Sequence, residues 1–133
     1  VVGYGTAVQA TPVFGWLVEQ VLSLDMNPYL LTFVAVNLLA GMTANGTGGV
    51  TLVMENFGAT ILGNPAINVG ALHRIAAISG AGFDSLPHNG AIAFQLSVFK
   101  LSYKDGYFQQ FMMSVLVNLL AGLLAVLMAV VLF

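Results

Sequence analysis

Hydrophobic positions run through this chain in long blocks, and polar residues collect at a few short interruptions. The first block, Thr6 to Leu24, is amphipathic and interrupted by Pro12; Glu19 and Asp25 mark its end as close to water. The second, Pro28 to Met42 (PYLLTFVAVNLLAGM), is strongly apolar and opens on a proline suited to a first helical turn. As a helix it would be roughly 22 Å long, whereas a simple membrane span needs ~20 residues. The interruption TANGTGG, Thr43 to Gly49, follows, and then a further apolar arm from Val50 to Leu62. Two arms shorter than a span, joined by a Gly/Thr/Asn tip, predict a re-entrant helical hairpin over residues 28–62. Irregular backbone at membrane depth needs burial in protein or a water-filled cavity. A plain loop in water is the alternative for the same tip.

The turn signal GNP at Gly63 to Pro65 leads into a long stretch from Ala66 to Leu101. A helical piece up to about Ala81 is followed by FDSLPHNG, residues 83–90, and a second piece from about Ala91 to Leu101. Pro87 removes a backbone donor and biases Leu86 away from helix. Gly80, Gly82 and Gly90 loosen the backbone around it. The pattern predicts a discontinuous transmembrane helix, two half-helices with an unwound middle. Tyr107 to Phe133 is almost entirely apolar and long enough to span with tilt. Lys100, Lys104 and Asp105 just before it mark a membrane surface, and with Arg74 they hint weakly that this surface is cytoplasmic. No internal repeat is visible within the chain.

Composition supports lipid as the solvent for most of this surface. Of the 133 residues 59% are hydrophobic and 6% charged, with three Lys/Arg and five Asp/Glu; soluble domains carry about 25% charged residues. A net charge of −2 leaves no basic patch for nucleic acid. The absence of cysteine excludes disulfides and thiolate metal sites. The sequence starts at Val1 and stops at Phe133, both within apolar runs, and shows no signal-peptide pattern. A fragment of a larger multi-pass membrane protein is the expectation.

Ionisable groups inside a membrane segment are functional candidates, and Asp84 and His88 both fall in the interruption at 83–90. One reading has Asp84 cap the following turn and His88 face a surface loop. The other starts from the broken helix, whose freed amides and dipole form an anion site without a cation, while carbonyls at the end of the first half suit a cation or a proton-donating group. Ser85, Asn89, Thr43, Asn45 and Thr47 add polar side chains. Gly48, Gly49 and Gly90 permit close backbone approach. Asp84 and His88 can change protonation and so couple proton movement to binding. His73, Arg74 and Glu55 have structural roles available to them: packing, snorkelling, or pairing of Arg74 with Glu55 or Asp84. Asp84, Ser85 and His88 lie too close in sequence to form a hydrolase triad readily, and no nucleophile elbow accompanies them. His73 and His88 lack zinc-ligand spacing. The chain is read as a non-enzyme with no cofactor and no metal.

ALHRIAAISGAGFDSLPHNGAI (Ala71 to Ile92) resembles the C-terminal signature of the gluconate permease (GntP) family. VNLLAGMTANGTGG (Val36 to Gly49) is similar to that family's upstream block, and SYKDGYF (Ser102 to Phe108) to the segment before its last helix. Gly3 to Leu24 resembles the family less sharply. Where the gluconate-transporting branch has a His-Val-Asn-Asp-like motif, this chain reads Pro87-His88-Asn89-Gly90, which looks closer to the 3-hydroxybutyrate-type branch. The resemblance implies an all-α permease of the bacterial inner membrane that carries a small organic anion, a hydroxy-carboxylate or sugar acid, by proton symport. It also implies the C-terminal one of two inverted repeats of an ion-transporter-type fold. The N-terminal half of the same permease would be its partner, with a homodimer as a further arrangement. On this reading residues 1–27 are a preceding helix and connection, 28–62 the hairpin with its tip at 43–49, 66–101 the broken helix, and 107–133 the final span. Sodium coupling and a non-transporting assembly subunit are the alternatives.

Overall fold

The computed structural model describes residues 7–23 and 26–133; Thr6, Leu24 and Asp25, which bound the first predicted stretch, lie outside them. The described residues are helical throughout their regular structure, with no strand among them. Helix α1 is Pro12–Ser23, α2 Pro28–Thr43, α3 Gly46–Leu62, α4 Val69–Gly80 and α5 Gly90–Val98. Helix α6 runs from Tyr103 to Leu132, with a π-helical segment at Phe111–Leu116.

Two prolines open helices here. Pro12 starts α1 after a break at Ala10 and Thr11 that separates it from the helical residues 7–9, and the Thr11 hydroxyl oxygen accepts from the Phe14 amide at 3.3 Å. Pro28 starts α2 behind Asn27, whose side chain accepts from the Tyr29 amide. A proline at the first helical position loses no hydrogen bond, because that amide has no partner inside the helix.

Helix α2 is the centre of the fold. Apolar residues lie all round it, so it has no polar face to turn outward. Val36, Leu39 and Ala40 are buried, as are Tyr29, Leu31 and Phe33. It packs against α3, α4 and α6. Phe57, Ile61 and Val53 of α3 and Ile75 of α4 complete the core. The buried threonine and serine hydroxyls within this core are satisfied by their own helices. The Thr32 and Thr43 hydroxyls donate to Pro28 O and Leu39 O, each at 2.8 Å, and the Ser79 hydroxyl donates to Ile75 O at 2.7 Å. Such bonds to the carbonyl four residues back hide a hydroxyl from an apolar surrounding.

The interruption between α2 and α3 is shorter than the sequence suggested. Only Ala44 and Asn45 separate the helices, with Ala44 left-handed at φ 49°. Thr47, Gly48 and Gly49 therefore belong to the first turn of α3. Gly49 is where the two arms meet, since a methyl group there would collide with the backbone of Ala40. Between packed helices in lipid, close approach of small residues replaces water exclusion as the source of stability.

The segment after α4 is unwound. A single turn of 3-10 helix, Phe83–Ser85, is followed by extended Leu86 (φ −68°, ψ 162°) and then Asn89, which caps α5. The extended Leu86 is the conformation a following proline imposes. Helix α6 begins at Tyr103, four residues before the predicted start, behind a Ser102 cap. It is 30 residues long, with a mean hydropathy of 2.8 in its most apolar window. Among the described residues this is the one helix long and apolar enough to cross a membrane. Leu120, Leu124, Leu127 and Val131 leave its outer face exposed and apolar.

Gly49→Val should force the hairpin arms apart. Overpacking costs about 1–3 kcal/mol, so the full-length protein in detergent should unfold at a lower temperature than wild type. An unchanged Tm would show that the arms do not meet at this residue.

Candidate functional site

The unwound segment lies on the hairpin tip. His88 Nε2 is 2.7 Å from Gly41 O near the end of α2. A carbonyl only accepts, so Nε2 carries the proton in this contact. Asn89 Nδ2 donates to Ala44 O at 3.0 Å and to Asp84 O at 2.5 Å, using both of its hydrogens. Its Oδ1 accepts from the Ala91 amide at 2.6 Å and caps α5. Asn89 thus ties together the tip, the start of the unwound segment and the helix that follows.

The other side of the tip is the start of α3. Asn45 precedes it in extended backbone but makes no side-chain cap. The amides of the first helical turn lack partners within the helix. Beside them stands Asp84: its Oδ2 is 3.2 Å from where a Cβ on Gly46 would lie, and its Oδ1 accepts from the Ser85 hydroxyl at 2.9 Å. Gly46 also touches the end of α4, where a side chain would run into Gly80 O. A larger residue at position 46 would push the tip off the broken helix. Thr47, Val50, Ala77 and Ala81 complete an open groove of about 360 Å³ over Gly46 and Asp84.

The candidate residues therefore divide. Asp84, Ser85, His88 and Asn89 come together with Asn45, Gly46 and Thr47 around the tip. Thr47 is exposed at the groove. Thr43 is buried, and its hydroxyl donates to Leu39 O within its own helix. Gly48 lies against the Asn45 side chain and Gly49 against Ala40, so both glycines serve the hairpin itself. Gly90 has open space around its backbone. His73, Arg74 and Glu55 are exposed on the outer faces of α4 and α3.

Residues outside the predicted set also reach the segment. Tyr107 and Tyr103 of α6 donate to Ser85 O and Pro87 O, and Asn118 donates to Ala81 O. In the apolar run after Gln110, Ser114 and Asn118 form a polar pair four residues apart; that spacing places them on one helix face and was the available signal. Asn37 of α2 is a further one. It is 3% exposed, its amide donates to Phe33 O at 2.9 Å, and its Oδ1 has no hydrogen-bond partner among the described residues. That oxygen occupies the space a side chain on Gly82 would need, which restricts position 82 to glycine.

No family model matches the chain, and no solved structure matches it. A curated relative from Bacillus subtilis (strain 168), named Uncharacterized transporter YxjC, is 29% identical over 108 residues. The match covers 79% of this chain but 23% of the relative, so the chain spans about a quarter of that protein's length. A relative named as a transporter agrees with reading the chain as a non-enzyme.

Asn89→Asp keeps the cap on α5 but replaces the amide nitrogen, with both of its donated hydrogens, by one carboxylate oxygen facing two carbonyls. Thermal unfolding of the full-length protein should show a loss of about 1–3 kcal/mol. Wild-type stability in this variant would mean that Asn89 does not tie the tip to the unwound segment.

Proposed function

We propose that the chain is the C-terminal part of a multi-pass membrane transporter, with its site where the unwound segment meets the hairpin tip. The observation that carries this reading is the pair of contacts from His88 to Gly41 O and from Asn89 to Ala44 O. They join two helix interruptions in a chain that also contains a helix able to span a bilayer. Interrupted helices cost backbone hydrogen bonds, and in membrane proteins they persist where they line a site. The transporter name of the Bacillus relative supports the same general role.

Within this reading, α2 and α3 form a re-entrant hairpin, and α4 and α5 are halves of a discontinuous transmembrane helix. A second inverted repeat in the N-terminal half of the same permease supplies the rest of the cavity, and two such permeases form a homodimer. The protein works in the bacterial inner membrane. The substrate is a small organic anion, such as 3-hydroxybutyrate or another hydroxy-carboxylate. It meets the amides at the start of α3 and the Thr47 hydroxyl. These are neutral donors, which suits a chain with only three Lys/Arg. Asp84 stands at the same helix start, so a substrate carboxylate and an ionised Asp84 would repel each other. Protonation of Asp84 removes that repulsion and makes proton symport the natural coupling, with His88 as the second exchangeable group. Substrate and proton together stabilise the closed tip, and the closed element then moves against the remainder of the protein.

Membrane vesicles containing the full-length protein test this directly. Under an imposed proton gradient, with labelled 3-hydroxybutyrate, glycerate and gluconate as probes, at least one acid should accumulate. His88→Ala and Asp84→Asn should each abolish accumulation while leaving membrane insertion intact. Accumulation driven only by a sodium gradient would replace the proton assignment, and normal accumulation in both variants would refute the site.

A further inference from the structure

Carbonyls in an unwound membrane segment have lost their helical amides and must find other donors. Three of them are served locally, Gly82 O by the Ser85 backbone amide, Asp84 O by Asn89 Nδ2 and Leu86 O by the Asn89 backbone amide. Three others are served by a single helix, α6. Asn118 Nδ2 donates to Ala81 O at 3.3 Å, the Tyr107 hydroxyl to Ser85 O at 3.2 Å, and the Tyr103 hydroxyl to Pro87 O at 3.0 Å. The donors descend along α6 as the acceptors ascend along the segment, so the two run antiparallel, side by side.

The π-helical segment Phe111–Leu116 lies between Tyr107 and Asn118 and packs against the turn Phe83–Ser85. Windings of this kind concentrate at functional sites. Asn118 Nδ2 also donates to Ser114 O at 2.6 Å, within that segment. An amide in so apolar a helix is costly when turned to lipid; here it is spent on the neighbouring backbone.

We infer that Tyr103, Tyr107 and Asn118 are positioning residues: by pinning the carbonyls of Pro87, Ser85 and Ala81, they set where Asp84 and His88 stand against the hairpin tip. The pinning itself is independent of what the site binds; the role in substrate binding rests on the transport reading above.

Tyr107→Phe in the full-length protein removes one hydroxyl and retains the ring between Tyr103 and Phe111, whose centroids are 6.0 and 6.1 Å away. Amide hydrogen exchange across residues 82–90 should accelerate about 2- to 10-fold, the factor for one net hydrogen bond, with α3 unchanged. In vesicle uptake of labelled 3-hydroxybutyrate, the half-saturating concentration should rise while the maximal rate holds. If Tyr107→Phe lowers the yield, Tyr103→Phe, at the exposed rim, gives the same measurement. Exchange that stays at the wild-type rate, or rises equally in every helix, overturns the inference. Local acceleration with unchanged half-saturation overturns the positioning role. If the wild-type protein takes up no carboxylate at all, the transport reading fails, while the exchange result still decides whether α6 pins the segment.

Discussion

Two helix ends meet at the hairpin tip, and each faces a side chain of opposite character from the unwound segment. The carbonyl end of α2 receives the His88 ring N–H and the Asn89 amide. The amide end of α3 faces the Asp84 carboxylate. A helix carries partial negative charge at its carbonyl end and partial positive charge at its amide end, so the pairing is matched on both sides. Each helix-end interaction contributes about 0.3–1 kcal/mol, up to ~2 when partly buried, and each hydrogen bond about 0.5–1.5 kcal/mol net. Their sum is on the order of a few kcal/mol, enough to seat the segment. It remains comparable with the ~5.5 kcal/mol by which a ligand must prefer one state to reverse a two-state equilibrium. A contact of this strength can hold a site together and still be released.

The remaining structure serves that meeting point. Helix α2 runs through the core, buried except for its first residue and the half-buried stripe Leu30, Val34, Leu38 and Met42, and brings its carbonyl end to the contact. Small residues bring the neighbouring backbones close enough, Gly49 against Ala40 within the hairpin and Gly46 against Gly80 between the tip and α4. Core hydroxyls bond to their own helices, which keeps the apolar packing free of stray donors. Helix α6 presents leucines outward and a line of tyrosine and asparagine donors inward. One helix thereby combines an apolar outer face with support for an irregular backbone.

Much of this architecture could be read from residue patterns. Apolar blocks too long and too uncharged for a soluble surface gave the helical class. Pro87, with glycines at 80, 82 and 90, gave the position of the unwound segment, because proline and glycine act on the backbone locally. What escaped were properties that depend on the third dimension. The TANGTGG tip reads as a seven-residue loop, yet Thr47, Gly48 and Gly49 are helical, since packing of the arms extends α3 toward its cap. Thr43 reads as a ligand group, yet its hydroxyl returns to its own helix, a choice that burial makes and sequence does not mark. The contribution of α6 was the largest omission. Its polar positions are sparse, and their value lies in which carbonyls they reach. The orphaned Asn37 oxygen over Gly82 likewise joins two residues 45 positions apart, and neither carries a local signal.

The juxtaposition of His88 and Gly41 is open to direct measurement. In the full-length protein, with histidine ring nitrogens labelled with 15N and glycine carbonyls with 13C, solid-state NMR measures their dipolar coupling. A hydrogen bond of ordinary geometry places the ring nitrogen roughly 4 Å or less from the carbonyl carbon, so a strong coupling should be present and should vanish in His88→Ala. If His88 shows no coupling to any glycine carbonyl and its ring is in contact with water alone, the segment is not seated on the hairpin tip, and the site described above does not exist.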